Sequence, residues 1–405
     1  MPIHARMALR NIRRNPRRSL LTILAIAFGL FCLIVFQAMK AGLHREMVTG
    51  TIQLDAGSVQ IHATGYQSNH VTMRPLADST QLLNLLPGAG FNALAPRIKT
   101  QAMILSGPNS SAILLSGIEP TMEAKVTFIG EKIVSGTYLD RPGTILLGKE
   151  LADTIDAMVG DEVLLMGRDL FGHPISKKLT IGGLFSTGLT SFNRSQGYLL
   201  IQDARKLFGL NPDDITEISL LTEPAAAGAA AETLRTILAP EQYQIRTWRE
   251  TAPDVQQLIE LNDATMTLLV LIVFAMVAMG ITNTMNAVVY ERFREFGILA
   301  TIGVTPGGIV GLVVLESLFL ALAATVLGSA VGSMVCLYLS QVGLDLTQLT
   351  SANQYFADSH VLKAHLLAGD VLLANGMTLA TSLVAVIYPA SKAARLDPVK
   401  ALAHT

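Results

Sequence analysis

Charge is scarce in this chain. Only 15% of its 405 residues are Asp, Glu, Lys or Arg, against about 25% in soluble globular domains. The formal net charge is −1, so bulk charge gives no pull toward nucleic acid. Cysteine is nearly absent: Cys32 and Cys336 both sit in apolar runs, which excludes a disulfide framework or a thiolate metal site and predicts plain apolar packing. No HExxH, CxxC or GxSxG pattern occurs. The eight histidines are scattered, and the one close pair, His360 and His365, is five apart and off the i, i+4 face of a helix. These absences leave no catalytic constellation. A near match to a phosphate-binding loop, Gly143-Thr144-Ile145-Leu146-Leu147-Gly148-Lys149-Glu150, fails on two counts. Glu150 stands where a hydroxyl should hold magnesium, and Thr-Ile-Leu-Leu is a strand sequence rather than a flexible cradle. It predicts strand, turn and helix, with no nucleotide site in this chain.

What the chain does have is long apolar runs. A helix crossing the hydrocarbon core needs about 20 mostly apolar residues. Four stretches qualify: 20–39, 264–290, 306–339 and 371–387. Arg6, Arg10, Arg13, Arg14, Arg17 and Arg18 crowd the segment before the first stretch. Cytoplasmic flanks are the ones enriched in Lys and Arg, so the N-terminus is expected inside. Four spans bring the C-terminus back, where Lys392, Arg395 and Lys400 agree, as do Arg292 and Arg294 after the second span. The first run exceeds the about 7–15 residues of a signal-peptide h-region, and no A-x-A site follows. An uncleaved anchor is expected.

Between the first two spans lie some two hundred residues of soluble character. Strands are expected at Ser58–His62, Ala112–Leu115, Glu162–Leu165, Leu179–Ile181 and Tyr198–Ile201. A strand–helix–strand pattern follows at 217–222, 225–238 and 243–247. Pro253 suits the first position of a helix and Asp254 its positive end. With no Gly or Pro until Gly280, that helix should run to Tyr290. Its length of about 57 Å far exceeds a core of about 30 Å, so about half of it would stand outside the bilayer as a stalk.

Three features invite functional readings. Glu316 lies about ten residues into the third span; an acid there is costly and by default functional. It reads first as a packing or interfacial residue, with a proton relay as the other reading. Gly328-Ser329-Ala330-Val331-Gly332 offers a small-xxx-small face for close helix contact. The amphipathic run Glu291–Gly303 is either a helix in the headgroup plane or a helix docking into a cytoplasmic partner.

The run ERFREFGILATIGVTPGGIVGLVVLESLFLALAATVLG closely resembles the coupling-helix and third-span region of MacB/LolE/FtsX-type ABC transporter permeases. MALRNIRRNPRRSLLTILAIAFG resembles their N-terminal amphipathic helix and first span, and YPASKAARLDPVKAL their closing signature. GSVQIHATGY, LLSGIEP and ILLGKELADTIDAMVGDEVLLM look most like the lipoprotein-release LolC/LolE branch. The fold the resemblance implies is an α-helical membrane protein with four transmembrane helices plus a large α+β extracytoplasmic domain, porter-like with an inserted β-rich subdomain. Residues 1–49 would be amphipathic helix, first span and stalk; 50–252 the periplasmic domain, with its insertion at about 117–203; 253–290 stalk and second span. Residues 291–305 would be the coupling helix, 306–340 the third span, 341–370 a periplasmic loop, and 371–405 the fourth span and tail.

The resemblance further implies a non-catalytic permease subunit of the bacterial inner membrane, with both termini cytoplasmic. It would dimerise with itself or a homologous permease and pair with a separate ABC ATPase that holds ATP and magnesium. Glu291, Arg292, Arg294, Glu295, Gly297, Ile298 and Leu299 would form the ATPase contact. Phe28, Phe31, Phe36, Met266, Phe274 and Met276 would line a cavity for acyl chains of a lipoprotein or other amphiphile. A periplasmic carrier or outer-membrane partner, and membrane lipid, complete the expected partners. The alternative is an FtsX-like force-transmitting regulator of a periplasmic cell-wall hydrolase.

Overall fold

The computed structural model describes residues 3–66, 73–345 and 361–395. His70, His360, His404, Lys400, half of the expected 341–370 loop and the end of the closing signature lie outside these. The chain divides into two compact units, one built from 1–44, 260–345 and 361–405, the other from 45–259 and 346–360.

In chain order the helices are α1 (Ile3–Arg14), α2 (Pro16–Thr51), α3 (Ser79–Gly88), α4 (Pro120–Glu123), α5 (Lys149–Thr154), α6 (Thr190–Ser195) and α7 (Ile201–Phe208). They continue with α8 (Ala227–Ile237), α9 (Trp248–Thr251), α10 (Pro253–Glu291), α11 (Phe293–Thr301) and α12 (Pro306–Val342), before a last apolar helix over Ala368–Ala394. Among the described residues, four helices are long and apolar enough to cross a membrane: Pro16–Ala56, counting the π-turn Ile52–Ala56 that extends α2, then α10, α12 and Ala368–Ala394. Each contains its expected apolar stretch, and α10 opens on Pro253 as expected.

In the helical unit, Gly328 and Gly332 of α12 lie against α2. A Cβ on Gly328 would stand 2.7 Å from the Ala27 carbonyl oxygen, and one on Gly332 would stand 3.3 Å from Ile34. The small-xxx-small face is thus a real close contact, in which missing side chains let two backbones approach. Cys336 is buried in the same packing, near Leu30, Leu33 and Ile34. Cys32 is half-buried, and neither cysteine is in a disulfide.

The other unit is built on one ten-stranded sheet: β1 (Val59–Ala63), β2 (Leu94–Ser106), β3 (Asn109–Ile118), β4 (Ile133–Gly136), β5 (Thr144–Gly148), β6 (Glu162–Arg168), β7 (Pro174–Phe185), β8 (Gln196–Leu200), β9 (Glu217–Leu220) and β10 (Tyr243–Thr247). Its open part runs β10-β1-β9-β2, all antiparallel. Its other part closes on itself: β2 pairs β3, β3 pairs β8, β8 pairs β5, β5 pairs β7, β7 pairs β6, and β6 returns to β2. Closure leaves those six strands no free edge. The expected boundary near 117 falls inside β3. The long β2–β3 hairpin was not foreseen as one strand pair, and its β2 strand belongs to open sheet and barrel alike. Ile201, expected to end a strand, opens α7 instead.

The core of this unit is apolar, with Ile61, Leu115, Leu147, Leu199 and Ile218 inaccessible. Polar and charged side chains are buried beside it, His62 among them. Its Nε2 meets Gln60 Oε1 at 2.8 Å, and its ring stacks on Tyr66 at 3.7 Å. Burial pushes the imidazole down to about 4, partly opposed by Glu217, while Lys99, Arg246 and Arg97 add to the fall. The unfolded chain binds a proton near the ordinary 6.5; the folded one does not. This contribution to stability is therefore complete above 6.5 and lost as pH falls toward 4, on the order of 3 kcal/mol. The one tryptophan of the chain, Trp248, is buried in this unit, so its emission during denaturant titrations follows the unit within the intact protein. The acid loss should appear there and flatten in His62→Gln.

Candidate functional site

The segment between α10 and α12 is sharply punctuated. α11 ends before Gly303, whose φ of +92° is a conformation that favours glycine. Thr305 then caps α12, its hydroxyl oxygen accepting from the Gly308 amide at 3.3 Å, and Pro306 takes the first helical position. Thr-Pro-Gly-Gly in the sequence is thus a helix start.

α11 has a braced back and an open front. On the back, Phe296 is fully buried and Arg292 lies over its ring at 5.0 Å. Arg292 is itself only 7% exposed. Its Nε donates to Glu295 at 2.7 Å and its Nη1 to Glu316 of α12 at 2.9 Å. Arg14 of α1 donates to Glu295, and Arg18 of α2 holds Glu291 with both terminal nitrogens. Burial alone would raise the Glu295 carboxyl, but hydrogen bonds from Arg292 and Arg14 hold it below its ordinary range. Lys392 reaches Tyr290 at the end of α10 and lies 4.7 Å from its ring. The loop is therefore tied to α1, α2 and α12.

The front carries Arg294, Ile298, Thr301 and Ile302, all exposed. They follow the i, i+4, i+7, i+8 spacing of one helical face. Arg294 makes no ion pair among the described residues. Of the seven residues expected to contact an ATPase, Glu291, Arg294 and Ile298 are exposed, Glu295 and Leu299 are half-buried, and Arg292 and Gly297 are buried. Arg292 is a brace rather than a contact surface. Glu316, singled out as an intramembrane acid, is the second end of that brace, so a neighbouring polar group meets it as the packing reading required.

Between α2 and α10 lies an apolar groove of about 590 Å³, lined among others by Leu21, Phe28, Gly29, Met276, Val277 and Gly280. Phe28 and Met276 line it and are 66% and 61% exposed. The other four expected residues do not line it. Phe31 is half-buried 6.0 Å from the Phe28 ring, Phe274 packs with Val270 against the α2–α12 contact, Met266 is half-buried, and Phe36 is exposed elsewhere on α2. The aromatic spacing marked packing; the groove depends on glycines. A Cβ on Gly29 would stand 2.5 Å from Val277, so Gly29 allows the close approach of the two helices. The phosphate-loop lookalike is β5 running into α5. No group of His, Cys, Asp or Glu among the described residues could hold a metal ion.

The family profile of the MacB-like periplasmic core domain matches residues 19–237, and that of the FtsX-like permease C-terminal region matches 267–398. The chain is 27% identical to the lipoprotein-releasing system transmembrane protein LolC of Neisseria meningitidis, over 98% of this chain and 97% of that one. It is 23% identical to LolE of Haemophilus influenzae, over 97% and 96%. It is 24% identical to the macrolide export ATP-binding/permease protein MacB of Hyphomonas neptunium, over 98% of this chain but 60% of that one. With two profiles matched in order along most of its length, the chain belongs to the FtsX-like permeases with a MacB-like periplasmic core, an ABC transporter permease of the LolC/LolE/MacB type.

Proposed function

We propose that the chain is the transmembrane subunit of an inner-membrane ABC transporter whose ATP hydrolysis occurs in a separate ATPase. That ATPase docks on the exposed face of α11, and its closure is passed outward along α2 and α10 to the periplasmic domain. Both termini lie in the cytoplasm. The single observation that carries this reading is the loop after α10: an exposed Arg294–Ile298–Ile302 stripe on a short helix braced from behind by Arg292, Glu295 and Glu316. A brace of that kind turns pressure on the front into displacement of the helices it is tied to. The MacB relative named as both ATP-binding and permease is longer than this chain, which supports a permease part working with ATP and magnesium held elsewhere.

The substrate is a lipoprotein or another amphiphile. An apolar groove of about 590 Å³ between α2 and α10 suits acyl chains. A second permease copy, or a homologous permease, closes the groove from its open side. Met276, Met279, Leu268 and Leu271 of α10 are exposed within this chain, which leaves apolar surface for that subunit and for lipid. A periplasmic carrier would take the product from the outer domain.

The ATPase contact has a direct test. The double variant Arg294→Glu/Ile298→Asp should reduce ATPase recovery on the tagged permease at least about tenfold, a loss of some 1.4 kcal/mol or more for reversed charge and buried polarity at one contact. Trp248 emission should stay unchanged, since the altered residues lie in the other unit. Normal recovery would remove α11 as the docking element.

A further inference from the structure

The outer end of α2 is fastened by charges buried inside the second unit. After Thr51 the helix widens into the π-turn Ile52–Ala56, closed by the Gly57 amide donating to the Ile52 carbonyl at 2.8 Å. Gly57 has φ +64°, and a Cβ there would lie 2.1 Å from Ser219 Oγ, so the turn is pressed against β9. One side chain holds three elements at this point. Arg97 of β2, 1% exposed, donates from Nη1 to the Asp55 carbonyl of the π-turn at 2.5 Å and to Glu217 of β9 at 2.9 Å. Its Nε and Nη2 fork onto Glu123 of α4 at 3.0 and 2.7 Å. Two residues on, Lys99 donates to the Asp55 carboxylate at 2.9 Å and lies 3.4 Å from Glu217. The Ala56 carbonyl accepts from Gln60 Nε2 at 2.7 Å.

Arg97 stands where β2 changes partners. Residues 94–97 pair with β9 of the open sheet, and 103–105 pair with β6 of the barrel. Stability alone does not account for such a cluster, because apolar residues of similar volume fill buried ion-pair sites as well or better. What the cluster adds is direction. The fork onto Glu123 fixes the distance and angle of the guanidinium, and from that fixed point Nη1 holds the Asp55 carbonyl while Lys99 holds the Asp55 carboxylate, so the π-turn cannot slide along the sheet as an apolar contact would allow. π-turns inside α-helices also concentrate at functional positions.

We propose that Arg97 and Lys99, gripping Asp55, are positioning residues: the joint through which displacement of α2 reaches the open sheet and the barrel together. This rests on the coupling reading above. It is tested in the full permease–ATPase complex by hydrogen exchange, comparing the nucleotide-free form with the form trapped by ADP and vanadate. The double variant Asp55→Ala/Lys99→Met removes one charge of each sign, so the cluster keeps its net charge. In the parent complex, β2, β9 and β6 should differ in exchange between the two forms. In the variant the difference should stop at the π-turn, falling at least about fivefold in those strands, with ATP hydrolysis and Trp248 emission retained. An undiminished difference in the strands overturns the joint and leaves the coupling reading standing. No difference in the parent complex overturns both. Should the double variant shift Trp248 emission, Asp55→Asn, which keeps size and the backbone bond to Arg97, takes its place. It should diminish the difference, and an undiminished one overturns the joint.

Discussion

Arg292→Leu is expected to destabilise the helical unit by about 3–5 kcal/mol, the cost of breaking a buried ion pair from one side. The substitution strands Glu316, 7% exposed on the apolar helix α12, with its cationic partner at 2.9 Å gone. Glu316→Leu should cost less, because Arg292 keeps Glu295 at 2.7 Å. The double replacement should recover much of the larger loss, since two apolar side chains in contact leave no charge unpaired. Thermal unfolding of the three variants in detergent reads this order. A Glu316 acting as a proton relay would give a different pattern: Glu316→Gln would abolish activity at unchanged stability, and no second-site change at Arg292 would matter.

Gly148→Ala is expected to unfold the sheet-built unit more readily by about 3 kcal/mol or more, at or beyond the upper end of overpacking costs. The new methyl would stand 1.8 Å from the Asn193 carbonyl oxygen and 2.6 Å from its Cα, so backbone rather than a pliable side chain would have to give. Asn193 is itself fixed, its Oδ1 accepting from the Thr187 amide at 3.0 Å and the Thr187 hydroxyl at 2.7 Å. Lys149→Ala next to it, on an exposed side chain, should shift stability by less than about 0.5 kcal/mol. Denaturant titration of Trp248 emission separates the two. A phosphate loop would show the opposite ranking for nucleotide binding, with the lysine essential. The glycine in this Gly-Lys-Glu run serves the packing of β5 on α6.

The four long apolar helices were legible because hydrocarbon leaves so few options: about twenty apolar residues read as a candidate span whatever surrounds them. Pro253 was legible for a similarly local reason, proline being tolerated at the first turn of a helix. Barrel closure was not. Alternation tells which face a strand buries but not its partner, and Leu114 pairs with Gln196 across 82 positions. β2 escaped notice as a strand because Arg97 and Lys99 break its apolar pattern; both are buried against Glu217 and Asp55, acids distant in sequence. Arg292 was misplaced on the contact surface for the same reason, since a charge on an amphipathic helix ordinarily faces water. The available signal was Glu316, which needs a cation nearby. The groove was legible only in part: two of the six residues named for a cavity, Phe28 and Met276, line it, but Gly29 lets the helices approach and carries no side chain to notice.

The central claim is that this chain transmits work it does not itself generate. The measurement that tests it most directly is ATP hydrolysis by the permease purified alone, set beside hydrolysis by the complex recovered with it from native membranes. The account predicts none from the chain alone and steady turnover from the complex, with an ABC ATPase as the added subunit. Hydrolysis by the isolated chain, or repeated recovery without any ATPase, would contradict it.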